Sequence, residues 1–149
     1  MLFRSALRFS NVFGPKSYLK GSVVAHFFKA LLAGRQLVVY GDGSQVRDYV
    51  YVGDLVRGIA RALDADVTGA VQLGSGRPTT INELIEAIRQ VVGPSVKVDV
   101  RYEPRRAGEV HTTWCDISRA RKTLGYDPST TLVEGLSATW KWFRETQAP

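Results

Sequence analysis

Two arginines and a glutamate carry the chemistry that stands out in this sequence. Arg47 lies in the run from Val39 to Asp54, VYGDGSQVRDYVYVGD. Val39 and Tyr40 are β-formers, Gly41-Asp42-Gly43 supplies turn chemistry, and Tyr49 to Val52 is β-forming again. The spacing predicts a hairpin that holds Arg47 rigid. A rigid guanidinium fork meets two phosphate oxygens at once. On a solvated strand the same side chain would instead pair with a nearby acid, and both readings stand at this point. Arg105-Arg106-Ala107-Gly108-Glu109 brings two guanidiniums, a glycine that admits close backbone approach and a carboxylate into one short segment. As a ligand site, the arginine would take a diphosphate and the carboxylate a ribose hydroxyl. As a plain surface loop, both would be solvated.

Other constellations offer less. No Ser/His/Asp or Cys/His set has catalytic spacing. His26 borders an apolar helix face and reads as structural. Cys115 precedes a helix start, a position that can lower a thiol pKa, but nothing positions a base for it. Trp114, Trp140 and Trp142 read as packing residues. Gly74-Ser75-Gly76 follows a strand, but position 79 is Thr where a dinucleotide fingerprint needs a third glycine, and Pro78 delays the helix. It reads as a turn.

The elements that must position these residues follow from periodicity. Ala6 to Phe9 reads as a strand running into a loop at Gly14-Pro15. Ser22 is a candidate N-cap for a helix with Val23, Val24, Phe27, Phe28, Leu31 and Leu32 on one stripe, stopped at Gly34. Leu55, Val56, Ile59, Ala60 and Leu63 repeat the helical spacing, with Asp54 at the positive end of the helix dipole and Arg57 and Arg61 on the solvated face. Gly69 to Leu73 is a short strand. Thr80 and Glu83 form a capping-box pattern ahead of Ile81, Leu84, Ile85, Ile88, Val91 and Val92. Val96 to Tyr102 alternates like a half-buried strand. Asp116 caps a short helix ending at Leu124, and Thr131 caps a last helix whose shared face is Leu132, Leu136, Trp140 and Phe143. Alternating strands and helices argue an α/β fold, and no linker or repeat divides residues 1–149, which read as a single unit.

Composition narrows the function classes. The 149 residues are 44% hydrophobic and 23% charged, ordinary for a globular domain. The net charge of +6 and pI near 9.7 favour an anionic partner. Acids at Glu103, Glu109 and Asp116 interrupt the basic cluster, which argues against a nucleic-acid face. One cysteine cannot make an internal disulfide, so a reducing, cytoplasmic setting is expected. No apolar run approaches a membrane span, and no metal-ligand spacing is evident.

Six segments in register carry a resemblance: Leu7 to Pro15 (LRFSNVFGP), the Val39–Asp54 run, Leu73-Gly74-Ser75-Gly76, Arg106-Ala107-Gly108-Glu109, Asp116 to Ala120, and Leu124-Gly125-Tyr126-Asp127-Pro128. From Ala6 to Phe143 the chain resembles the C-terminal half of extended short-chain dehydrogenase/reductases, within them the NAD-dependent epimerase/dehydratase group with UDP-glucose 4-epimerase-like members. The resemblance implies the substrate-binding part of an extended Rossmann-type fold whose N-terminal dinucleotide-binding part is missing. It implies that Arg47 and Arg106 grip the diphosphate of a nucleotide sugar from two sides, and that Glu109 accepts from the ribose. Val23 and Val24 would line the base, Val38 and Tyr40 would wall it, Asn11 would approach the diphosphate or sugar, and Phe9 would lie near the nicotinamide of NAD. A 4,6-dehydratase, a decarboxylase or a non-catalytic nucleotide-sugar-binding module would use the same scaffold.

The family's catalytic tyrosine is followed four positions later by a lysine. Here the residues four positions after Tyr18, Tyr40, Tyr49, Tyr51, Tyr102 and Tyr126 are Ser, Ser, Gly, Leu, Arg and Thr. A truncated fragment, inactive by itself and marginally stable, is the expectation, with NAD held mainly by the missing part. The full-length protein is expected to be a homodimer, with no nucleic-acid or membrane partner.

Overall fold

A computed structural model describes residues 5–147. It has seven strands and five helices among the described residues, alternating as an α/β fold should. Strand β1 (Ser5–Phe9) pairs in parallel with β5 (Gly69–Leu73). Strand β2 (Asn11–Phe13) lies parallel to β4 (Val46–Tyr51), whose other edge takes β6 (Pro78–Thr80) antiparallel. Strand β3 (Leu37–Tyr40) pairs in parallel with β7 (Val100–Glu103). The helices are α1 (Val23–Leu32), α2 (Val52–Asp64), α3 (Ile81–Val92), α4 (Ser118–Leu124) and α5 (Leu132–Gln147).

The expected hairpin does not form. β3 and β4 belong to different sheets: β3 pairs with β7, and both edges of β4 are taken, by β2 and by β6. The connecting turn is as read: Gly41 and Gly43 hold φ of 82° and 78°, and the Asp42 carboxylate accepts from the Ser44 N–H and hydroxyl. Positive φ favours glycine in any reversal of the chain. It does not decide which strands then pair. The strand expected over Val96 to Tyr102 runs instead over Val100–Glu103, one residue further, paired with the four residues of β3. Val96 and Val98 pack on the core instead.

Two buried clusters support the fold. The larger sits among α1, α3 and α5, where Phe28 packs on Trp140 and Phe143 at ring-centroid distances of 5.2 and 5.7 Å. The helical stripes of α1, α3 and α5 are those the spacing predicts, and the Thr80–Glu83 capping box is complete. Thr131 and Glu134 repeat it at the start of α5. The smaller cluster lies between β5, α2 and α4 and contains Leu55, Val71, Leu73, Leu124 and Tyr126.

Helix α2 departs from the expectation. Gly58 faces inward against the Tyr126 ring, so Leu55 and Ile59 pack inside while Val56 and Leu63 turn outward, 56% and 76% exposed. Arg57 is not a free solvated cation: it pairs with Asp54, a buried carboxylate that also accepts from the Thr130 N–H. Arg61 donates to the carbonyls of Leu124 and Gly125 at the end of α4. Trp140 packs, as expected, but Trp114 is 53% exposed.

Candidate functional site

A cavity of about 650 Å³ opens between the start of α1, the face of β3 and β7, strand β4 and the loop 104–109. That volume lies within the range of small-molecule sites. Asn11, Val23, Val38, Tyr40, Arg47, Arg106 and Glu109 all line it. Strand alternation explains part of this. Val38 and Tyr40 face one way on β3, opposite Arg101 and Glu103 on β7, and all four reach the cavity.

One expected member does not reach the cavity. Val24 is buried in the larger cluster at 1% exposure. One helical step, about 100°, carries it from the cavity face of Val23 to the core face. Phe9, expected beside a nicotinamide and not in this cavity, ends β1 and is 49% exposed.

Arg47 is clamped. Its Nη1 donates to the carbonyls of Val46 at 2.8 Å and His111 at 3.0 Å, and its Nη2 meets Glu109 Oε1 at 2.9 Å. The nearby acid admitted as a partner for Arg47 is therefore Glu109, and the pair sits in the cavity wall rather than on open surface. Arg106 stacks its guanidinium over the Tyr40 ring, 3.7 Å from the centroid, a geometry that stabilises the cation. The Asn11 amide donates to the Asp48 carbonyl at 3.1 Å.

Sequence reading passed over Ser22 and Tyr49. The Ser22 hydroxyl stands at the N-cap of α1 but caps nothing. Ser22 Oγ and Tyr49 OH are the buried side-chain polar atoms without a partner among the described residues, and both residues line the cavity. Burial pushes the Tyr49 hydroxyl pKa well up, with Arg47 opposing, so the phenol stays protonated as a donor at neutral pH. A buried polar atom without a partner costs about 1–3 kcal/mol, so a polar ligand that satisfied both would recover part of that cost. The signal for Tyr49 was present in the sequence: it lies two residues after Arg47 on one strand, and hence on the same face. His26 also borders the cavity.

Cys115 departs from the expected lowering. Burial and the neighbouring Asp48 carboxylate both raise its pKa. Among the described residues no group of three or more His, Cys, Asp and Glu side chains could hold a metal ion, and no helix is long and apolar enough to cross a membrane.

A family profile described as GDP-mannose 4,6 dehydratase matches residues 1–139. The crystal structure of UDP-glucose 4-epimerase with UDP-glucose from Thermotoga maritima is similar, with a TM-score of 0.86 and 37% identity over 95% of this chain and 46% of that one. UDP-glucuronic acid 4-epimerase from Bacillus cereus, solved with UDP-glucuronic acid and NAD, gives a TM-score of 0.84 at 27% identity, over 93% of this chain and 44% of that one. UDP-glucuronic acid decarboxylase 1 of Arabidopsis thaliana is 35% identical over 92% of this chain and 31% of its own length. The chain thus spans less than half the length of the curated relatives it matches. The α/β architecture agrees with theirs over that span, and with the profile covering most of its length, the chain belongs to the GDP-mannose 4,6 dehydratase family.

Proposed function

We propose that this chain binds the nucleoside diphosphate of a nucleotide sugar, as the substrate-binding part of an NAD-dependent epimerase acting on UDP-glucose or a close analogue. The observation that carries the reading is convergence. Two guanidiniums from distant segments, Arg47 on β4 and Arg106 on the loop after β7, and two unpartnered buried hydroxyls meet in one cavity. Arg47 and Arg106 take the diphosphate, Glu109 accepts from the ribose, and Val23, Val38 and Tyr40 enclose the base. Charge-assisted hydrogen bonds contribute about 1.5–3 kcal/mol each. Two such arginines supply much of the roughly 8 kcal/mol that a micromolar complex requires.

The Bacillus cereus relative holds NAD, and we extend that cofactor to the whole protein to which this chain corresponds. Phe9, 49% exposed at the end of β1, is the residue of this chain assigned to the nicotinamide side of that cofactor. The likeness to the Arabidopsis decarboxylase favours a second reading, a decarboxylase on the same binding scaffold. Assembly of the full-length protein as a cytoplasmic homodimer belongs to the same proposal.

Calorimetric titration with UDP tests the reading, with a short DNA duplex as the control anion. Micromolar UDP binding is expected, lost in the Arg47→Ala/Arg106→Ala variant. Unchanged affinity in that variant would refute the site. The isolated chain lacks a tyrosine with a lysine four residues on, so no turnover of UDP-glucose is expected from it.

A further inference from the structure

On β4, Arg47 faces the cavity and its neighbour Asp48 faces the interior, 1% exposed. No ion pair to Asp48 exists among the described residues. Neutral donors surround the carboxylate instead. Oδ1 accepts from Ser10 Oγ at 2.9 Å, the Ser75 N–H at 2.7 Å and the Ser75 hydroxyl at 2.9 Å. Oδ2 accepts from the Gly76 N–H at 2.9 Å and the Cys115 N–H at 3.3 Å. The Asp48 backbone carbonyl accepts from the Asn11 side chain. Gly74 leaves room for this arrangement: a Cβ there would lie 2.8 Å from Asp48 Oδ2 and 2.7 Å from the Cys115 Cβ.

These donors come from segments far apart in sequence. Ser10 precedes Asn11, which lines the cavity. Ser75 and Gly76 belong to the turn after β5. Cys115 closes the long loop that carries Arg106 and Glu109. The far part of that loop is already tied to β4, since the Val46 N–H donates to the His111 carbonyl and the Thr113 N–H to the Val46 carbonyl. Asp48 fixes its end.

We propose that Asp48 is a positioning residue for the nucleotide-sugar site. Its buried carboxylate sets Asn11 and the Arg106–Glu109 loop in register with Arg47 without touching the ligand. The inference rests on the nucleotide-sugar reading of the cavity. A carboxylate suits the role because its two oxygens accept, and five donors point at them. An amide in its place would turn N–H against N–H on one side and release one of the tethers.

A double-mutant cycle with UDP-glucose, read by calorimetry on the full chain, tests this. Asp48→Asn should raise the Kd at least tenfold while far-UV circular dichroism stays native. Because the carboxylate holds Ser10, the neighbour of Asn11, as well as the Cys115 end of the loop, the loss in the double variant Asp48→Asn/Asn11→Ala should fall short of the product of the two single losses. Residues coupled through one network depart from additivity in this way, whereas general destabilisation multiplies the two losses. If Asp48→Asn does not fold, Ser10→Ala removes one donor, leaves the carboxylate in place, and takes its position in the same cycle. Multiplicative losses with wild-type binding intact would overturn the positioning role alone. Absence of UDP-glucose binding by the wild-type chain would overturn the functional reading and this role together.

Discussion

Replacing Glu109 by glutamine should strengthen, not weaken, the binding of inorganic pyrophosphate. In the structure Glu109 Oε1 sits 2.9 Å from Arg47 Nη2, with the two side chains 26% and 19% exposed. The carboxylate occupies a guanidinium donor that a phosphate oxygen would use, so an arriving anion must displace it or share the cation with it. Two unit charges at 4 Å attract by about 4 kcal/mol at an effective dielectric constant near 20. Exposed pairs retain only about 0.2–1 kcal/mol after solvation and side-chain entropy. This pair is better shielded than those, so a net contribution of about 1 kcal/mol is reasonable, which corresponds to about a fivefold change in Kd. Glutamine removes that competition and also removes a negative charge facing the incoming anion. Pyrophosphate has no ribose, so nothing offsets the gain, and its Kd should fall by about fivefold or more. UDP should gain less, because a neutral amide oxygen is a weaker acceptor for the ribose hydroxyls. Calorimetry near 0.15 M ionic strength, where screening acts over about 8 Å, compares the two ligands on one chain. Pyrophosphate binding that weakens or stays unchanged in Glu109→Gln would refute the reasoning.

Further outcomes follow from other parts of the fold. Gly58→Ala places a methyl 2.8 Å from the Tyr126 ring, whose hydroxyl is held at 2.9 Å by the Gly74 carbonyl; overpacking of this kind costs about 1–3 kcal/mol and should lower Tm in a thermal melt. Thr80→Ala removes the α3 cap and should cost about 1 kcal/mol by urea titration. The Thr80 N–H and hydroxyl hold the Glu83 carboxyl below its ordinary value of 4.5. The stability that this provides is present above the unfolded value and lost as pH falls through the lower folded one, so the Tm gap between wild type and Glu83→Gln should close as pH falls below about 4.5. Cys115, raised by burial and by Asp48, should react slowly with a thiol reagent at pH 8 and rapidly in urea; fast labelling of the folded chain would contradict its assigned environment.

Local signals in the sequence were read correctly where the physics was local. The helical stripes of α1, α3 and α5, the Thr80 cap and the Gly41–Ser44 turn each depend on residues within a few positions of one another. The hairpin reading failed because strand pairing is settled by competition among edges, and β2, β6 and β7 are distant in sequence from the turn that suggested it. The outward turn of Val56 and Leu63 has the same origin: only the position of Tyr126 decides that Gly58 faces inward. At the site, the two arginines, Glu109 and Asn11 were legible through their motifs. Val24 was not separable from Val23 without knowing where the core lies. The unpartnered hydroxyls of Ser22 and Tyr49 were invisible, since lacking a partner is a property of three-dimensional surroundings. Asp48 was seen only as a neighbour of Arg47, because its donors lie between 27 and 67 positions away.

The two buried clusters need not melt as one. The cavity borrows Phe27, Val39, Tyr49 and Ile81 from the aromatic-rich cluster among α1, α3 and α5. The other cluster rests on β1 and β5, a lone pair of parallel strands, and on a helix that leaves Val56 and Leu63 in water. β1 is exposed along most of its length, and regions with few buried contacts open at the lowest free energies. Deuterium should therefore enter β1, β5 and α2 well before α1 and α3. The cavity would then keep most of its walls through openings that dissolve its neighbour, with Asp48 standing on the seam where one cooperative unit gives way to the other.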